Sequence, residues 1–112
     1  MSRYAVVTVL HDSATELPAL LESLAACVPP PERIVAVDAG STDDGPALAA
    51  AAGCTVITAG DVGFGAANNA GLAAVAEPLT LLLNPDVVVC DPGAPGALAA
   101  LAAGRDALHV PR

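Results

Sequence analysis

The sequence contains no lysine and no tryptophan, and only one tyrosine and one phenylalanine. Its four arginines face twelve carboxylates, for a net charge of −8. A chain so poor in cations lacks the basic patch that nucleic acids and anionic membrane surfaces reward, so both are excluded as expected partners. A nucleotide is not excluded, because a metal ion and backbone N–H groups can hold its phosphates. With aromatics at 2% and hydrophobic residues at 54%, the core must be packed by alanine and aliphatic side chains. Alanine buries little area, so modest stability per residue is expected. Cys27, Cys54 and Cys90 are an odd number without CxxC spacing, which points to reduced, buried thiols rather than a disulfide framework or a zinc site. Met1-Ser2-Arg3-Tyr4 leads into a strand-like run rather than a signal-peptide core. No apolar run reaches the roughly 18 residues of a membrane span. The expectation is a cytoplasmic chain, able to work at the inner membrane face through a partner.

What is present is a regular alternation. With 112 residues, a single domain over 1–112 is expected. Tyr4–Leu10 is rich in β-branched residues and reads as a buried strand. Leu17, Leu20, Leu21 and Leu24 recur at helical spacing. Ser13 and Glu16 have capping-box spacing, but that register places Pro18 where an N–H is needed, so Thr15 is the expected N-cap. Arg33–Val37 is a second strand ending at Asp38. A loop of turn residues, Ala39 to Gly45, leads to an alanine-rich helix that begins near Pro46 and ends near Gly53, a C′ glycine. Thr55–Thr58 is a third strand. The glycine-rich stretch Gly60-Asp61-Val62-Gly63-Phe64-Gly65 precedes a helix over Ala66–Ala76, and Gly63 and Gly65 read as backbone necessities of a tight loop. Leu79–Leu83 is a fourth strand, stopped by Asn84-Pro85-Asp86 because proline cannot donate to a ladder. Val87–Val89 resumes the apolar run. A helix over Ala94–Ala103 and a short strand at Ala107–Val110 complete the pattern. Strands alternating with helices require a mainly parallel α/β sheet with helices on both faces.

Parallel connectivity puts every strand's carboxyl end on one rim, where ligands bind in open α/β sheets. That rim gathers His11-Asp12, Asp38 with its loop, the Asp61–Gly65 loop, and Asn84 with Asp86. Gathered carboxylates repel one another unless a cation or a hydroxyl-rich ligand joins them. Mg²⁺ or Mn²⁺ held by one or two carboxylates and substrate phosphates suits Asp86 better than zinc, since no cysteine or histidine cluster faces it.

The segments Val35-Ala36-Val37-Asp38-Ala39-Gly40-Ser41-Thr42-Asp43, Gly63-Phe64-Gly65-Ala66-Ala67-Asn68-Asn69-Ala70-Gly71 and Leu81-Leu82-Leu83-Asn84-Pro85-Asp86, in this order after Val7-Thr8-Val9-Leu10, resemble the family 2 glycosyltransferases. The pattern is similar to their rhamnosyltransferase-like branch, and the resemblance runs from Tyr4 to Arg112. It implies a Rossmann-like sheet of the GT-A type that binds a nucleotide-diphosphate sugar, with Mg²⁺ or Mn²⁺ as cofactor and a glycan or lipid-linked acceptor. It implies that Asp38 contacts the base, and that His11 and Asp12 line base and ribose. Gly40 belongs to the same nucleotide-binding loop, and Asn68 and Asn69 lie near ribose and diphosphate. It also implies that Asn84-Pro85-Asp86 replaces the D-x-D motif, with Asp86 on the metal, and that transfer inverts the anomeric centre with an aspartate base. His11-Asp12 departs from the usual aromatic-asparagine pair, Ala39 from the usual asparagine, and Asn84 from an acid. Val110-Pro111-Arg112 matches a strand midway through the family's catalytic domain. The expectation is therefore a truncated, N-terminal donor-binding part that performs little or no transfer by itself.

Structural readings stand beside these. Asp86 can close a turn after Pro85, Asp38 can form a turn, and Asn68 and Asn69 can be helix-start amides. Asp43 is read as a cap of the second helix and His109 as an ordinary strand residue. The alternative function is a non-catalytic glycosyltransferase-like module that self-associates as a homodimer, or pairs with another chain, through an uncovered sheet edge or apolar helix faces. A sugar nucleotidyltransferase ranks last, because the segment after the first strand has neither glycine nor arginine.

Overall fold

The computed structural model describes residues 3–27, 30–77 and 79–86, and the backbone of Leu108–His109. The central element is β1, Tyr4–Leu10, in which every residue is buried. Its β-branched, aliphatic sequence suits a strand covered on both faces. It is flanked by β2 (Arg33–Asp38) and then β3 (Thr55–Thr58) on one side, and by β4 (Leu79–Leu82) and then β5 (Leu108–His109) on the other. All pairings are parallel, with Val7 opposite Val35 and Leu82. The helices are α1 (Leu17–Ala25), α2 (Gly45–Ala51) and α3 (Phe64–Ala73).

Alternation along β1 assigns the faces. Tyr4 and Val6 pack with Leu20 and Leu24 of α1 and with Leu79 and Leu81 of β4. Leu10 joins Leu17 of α1 and Ala49 of α2. Val7 and Val9 point the other way and pack with Val35, Val37 and Ala67 of α3. Helices α1 and α2 therefore cover one face and α3 the other, as the alternation of strands and helices predicts. Gly71 explains how closely α3 sits. A Cβ there would lie 2.5 Å from Val7 Cγ1 and 3.0 Å from Val37 Cγ2. The hydroxyl of Thr8, fully buried at the centre of β1, has no hydrogen-bond partner among the described residues. Cys27 is buried and Cys54 half-buried, both free thiols, and burial raises the pKa of each.

Boundaries shift where backbone groups outcompete side chains. Helix α1 starts at Leu17 with no side-chain cap, so neither Thr15 nor the Ser13–Glu16 box closes it. The Ser13 carbonyl accepts the N–H groups of Glu16 and Leu17 at 3.2 and 2.9 Å, which satisfies the first turn from the backbone. Helix α3 begins two residues before the expected Ala66 and ends three before Ala76. Extended Gly63 is its N-cap, and the Gly63 carbonyl accepts the Ala67 N–H at 3.0 Å. Gly63 and Gly65 have no neighbour within 4 Å of a Cβ and no positive φ, so the tight backbone falls instead on Gly60, at φ 76°. The end of α2 follows expectation. Gly53 at φ 91° donates to the Ala50 carbonyl and Cys54 to the Ala49 carbonyl, the paired closure of a Schellman motif. Val87–Val89, Cys90 and the helix expected over Ala94–Ala103 lie outside the described residues. Among the described residues, no helix is long and apolar enough to cross a membrane.

Candidate functional site

The parallel sheet delivers the carboxyl ends of β1, β2 and β4 to one rim, and the loops there are tied together by their own side chains. Asp12 follows β1 in the left-handed region, at φ 51°. An aspartate tolerates that conformation better than most residues. Its Oδ1 accepts the N–H of Thr42 at 2.7 Å and the Thr42 hydroxyl at 3.0 Å, while its own N–H donates to Ser41 Oγ at 3.2 Å. These bonds hold the carboxyl below its ordinary range, with the Thr42 N–H as the largest cause and His11 adding to it. Asp43 returns the brace, accepting the Ala14 N–H at 2.9 Å on Oδ2 and the Gly45 N–H at 2.9 Å on Oδ1. It therefore serves the start of α2 and crosses to the β1–α1 loop. Asp38, half-buried at the end of β2, accepts the Ser41 N–H at 2.8 Å on Oδ1. Gly40 takes φ 82°, and a Cβ there would lie 3.4 Å from Asp61 Cα, which brings the β3–α3 loop against the β2–α2 loop.

His11 stands where these loops meet. Its Nδ1 is 2.9 Å from the Ala39 carbonyl oxygen. A carbonyl only accepts, so Nδ1 carries the proton and Nε2 is the titrating nitrogen. Nε2 is 4.0 Å from Asp12 Oδ2, and the side chain is 65% exposed. The imidazole pKa is raised above its ordinary 6.5, first by the Ala39 carbonyl, then by Asp12, with Asp61 and Asp38 adding to the effect.

Two clefts open on either side of this histidine. One, of about 290 Å³, is lined by His11, Asp12, Ser13, Glu16, Asn84, Pro85 and Asp86. The other, also about 290 Å³, is lined by Val9, His11, Ala39, Asp61, Val62 and Phe64. The structure thus brings His11, Asp12, Asn84 and Asp86 to one cleft, with Asp38 and Gly40 in the loop beneath. Asn68 and Asn69 lie in the second turn of α3, outside the lining of both clefts, half-buried and exposed respectively. Val62 and Phe64, 40% and 54% exposed, are large apolar groups that sequence reasoning left without a role. The signal for Phe64 was available, since the chain's only phenylalanine sits in a glycine-rich loop. Ser13 and Glu16, whose spacing suggests only a capping box, also line the first cleft.

A family model for glycosyl transferase family 2 matches residues 5–111. The chain belongs to glycosyl transferase family 2. Among solved structures, TarS residues 1–349 of Staphylococcus aureus superimposes with a TM-score of 0.76 at 20% identity, covering 89% of this chain and 32% of that one. Glucosyl-3-phosphoglycerate synthase of Mycobacterium tuberculosis gives 0.72 at 22% identity, covering 93% and 42%. The same synthase has been solved with Mn²⁺ and UDP-glucose, and that structure gives a TM-score of 0.70 at 22% identity, covering 93% and 40%. These likenesses establish the fold as Rossmann-like GT-A, and this chain spans 32–42% of the length of these structures. A search among curated proteins gave no significant match.

The donor set at the rim can be tested against a divalent metal. Asp86 and Asn84 offer hard oxygen donors in the first cleft. Among the described residues, no cluster of three histidine, cysteine or acidic side chains is placed to hold an ion. That fits Mg²⁺ or Mn²⁺ bound by one carboxylate together with ligand phosphates, and does not fit a cage built of protein alone.

Proposed function

We propose that this family 2 chain is the donor-binding portion of an inverting, metal-dependent glycosyltransferase of the rhamnosyltransferase-like branch. It takes a nucleotide-diphosphate sugar at the carboxyl rim, for transfer to a glycan or lipid-linked acceptor. The observation that carries the reading is the first cleft, where Asn84 and Asp86 after β4 meet His11 and Asp12 after β1. The family 2 match and the GT-A fold support the assignment of that cleft to the donor.

The chain's own groups divide the work. Asp86 supplies a carboxylate, and Asn84 an amide, to the diphosphate region. A bound Mg²⁺ or Mn²⁺ there would neutralise charge developing on the departing nucleoside diphosphate. Asp38 keeps Oδ1 on the Ser41 N–H, which leaves Oδ2 to accept an N–H of the base. Gly40 holds the loop close without a side chain. Phe64 and Val62 give the second cleft an apolar wall suited to a planar ring. Asn68 follows Phe64 by one helical turn, on the same side of α3.

Calorimetric titration of the folded protein with UDP, dTDP and GDP, with and without Mn²⁺, tests the reading. Binding of at least one nucleotide, strengthened by the metal and weakened by Asp86→Ala, is expected. Binding of none of the three contradicts it.

A further inference from the structure

The arginines among the described residues are at the wrong end to meet a diphosphate. Arg3 precedes β1, and Arg33 is the first residue of β2. Both therefore lie at the amino ends of the strands, and Arg33 is committed to Glu77 at 3.1 Å. The length of β1, at about 3.3 Å per residue, separates that end from the clefts by roughly 20 Å. The sequence has no lysine. Among residues whose side chains are described, the carboxyl rim holds one group able to carry positive charge, and it is His11.

Its placement is that of a ligand group. His11 is the residue shared by the linings of both clefts, so it borders any molecule that spans them. The Ala39 carbonyl fixes Nδ1–H and with it the ring orientation. On protonation the new proton arises at Nε2. Asp12 Oδ2, at 4.0 Å, is beyond hydrogen-bond reach, and its Oδ1 is occupied by Thr42. The new donor is thus oriented by one bond and uncommitted at the other nitrogen. The charged groups around it are all acidic: Asp12 and Glu16 from the β1–α1 segment, Asp38 from the end of β2, Asp61 from the β3–α3 loop and Asp86 after β4. A diphosphate entering this ring of carboxylates meets repulsion from every one of these elements, and the imidazolium is the one described group at the rim that offsets it.

We infer that His11, as its imidazolium, is the protein cation that holds the donor's diphosphate, so that nucleotide-sugar binding is tighter in the protonated state and is gated by pH. The inference rests on the proposed donor-binding role of the rim. No bond is made or broken. A proton is taken up at Nε2 on binding and lost on release. The local hydrogen bonding and charge favour the imidazolium and raise this transition above the ordinary 6.5.

The test uses UDP-glucose, dTDP-glucose and GDP-mannose with Mg²⁺. Their diphosphates are esterified at both ends and do not titrate near neutrality. Affinity of whichever binds best is measured between about pH 5 and 8. The wild-type chain is expected to lose about tenfold in affinity across that range, the equivalent of one unit of coupled pKa. His11→Gln is expected to be weak and flat with pH, and His11→Arg tight and flat. A wild-type profile without slope, or the same slope in His11→Gln, overturns the inference while leaving nucleotide binding intact. Failure of all three nucleotide sugars to bind sinks the donor-site reading itself, and this inference with it. A second measurement avoids variants altogether. The proton NMR titration of the His11 imidazole is expected to move to higher pH when the nucleotide sugar is added. An unchanged or lowered midpoint overturns the inference.

Discussion

The two halves of the carboxyl rim are built differently. The loops after β1 and β2 are laced together by Asp12 with Thr42, Ser41 with Asp12, Asp43 with Ala14 and His11 with Ala39. Among the described residues, the loop after β3 has one internal backbone bond, from the Val62 N–H to the Gly60 carbonyl at 2.9 Å, and one tie to β2, from the Ala59 N–H to the Asp38 carbonyl at 2.9 Å. Its large side chains, Val62 and Phe64, are exposed rather than packed. The first half spends polar side chains on fixing backbone, so its remaining atoms are held in place for a charged ligand. The second half offers apolar surface with little internal restraint, suited to a planar group that brings its own rigidity. The same rim therefore contains a preorganised polar wall and an adaptable apolar one, with His11 between them.

The largest effect is expected from breaking the laced half. Asp12→Ala removes both Thr42 bonds, and nucleotide affinity should fall by about tenfold or more, measured by calorimetry. Gly71→Ala attacks the support of the open half, because its Cβ intrudes on Val7 and Val37 beneath α3. Overpacking there should outweigh the better helix propensity of alanine and cost about 1–2 kcal/mol in urea unfolding. Thr8→Val tests the strand that supports both halves. It removes a buried hydroxyl without a partner and keeps the shape, so stability should rise by about 1 kcal/mol. Phe64→Ala should change stability by less than about 0.5 kcal/mol, since the ring is half out of contact, yet should weaken nucleotide binding severalfold. A stability loss as large as that of Gly71→Ala would show that the ring packs structurally.

Within the laced half, Asp12 and His11 respond to pH in opposite senses. Asp12 has its carboxyl lowered below 3.8 in the folded chain. Its contribution is therefore present above that value and is lost as pH falls through the folded value. His11 has its pKa raised above 6.5, so its contribution is full below 6.5 and is lost as pH rises through the folded value. The protection factor of the Thr42 amide, measured by hydrogen exchange, should fall on acidification below about 3.8 in the wild-type chain, and Asp12→Asn should blunt that response.

Much of this was legible in the sequence because the signals were local. The β-branched runs gave β1, β2 and β3 within a residue, and Pro85 marked where β4 must stop. Gly53 could be read as a C′ glycine because a helix end leaves one conformation to fill. The parallel sheet followed from alternation, and with it the meeting of His11, Asp12, Asn84 and Asp86. Other features depend on partners far along the chain. Asp12 in the left-handed region is held by Thr42, thirty residues on. Gly71 is constrained by strands on which the sequence gives no direct information about distance. Helix α1 closes on the Ser13 carbonyl, a group that every residue possesses and no pattern reveals. The exposure of Phe64, at 54%, depends on how α3 sits on the sheet, which its glycine-rich surroundings do not specify.

The central claim is that the carboxyl rim, and not another surface, receives a nucleotide. A cleft at the opposite rim, of about 370 Å³ and lined by Arg33, Cys54 and Thr55 among others, provides an internal comparison. Amide chemical-shift mapping with a saturating nucleoside diphosphate and Mg²⁺ decides between them. The account predicts shifts at His11, Asp12, Ser41, Thr42, Asn84 and Asp86, with Arg33, Cys54 and Thr55 unmoved. Shifts confined to the opposite rim, or none at either, would contradict it.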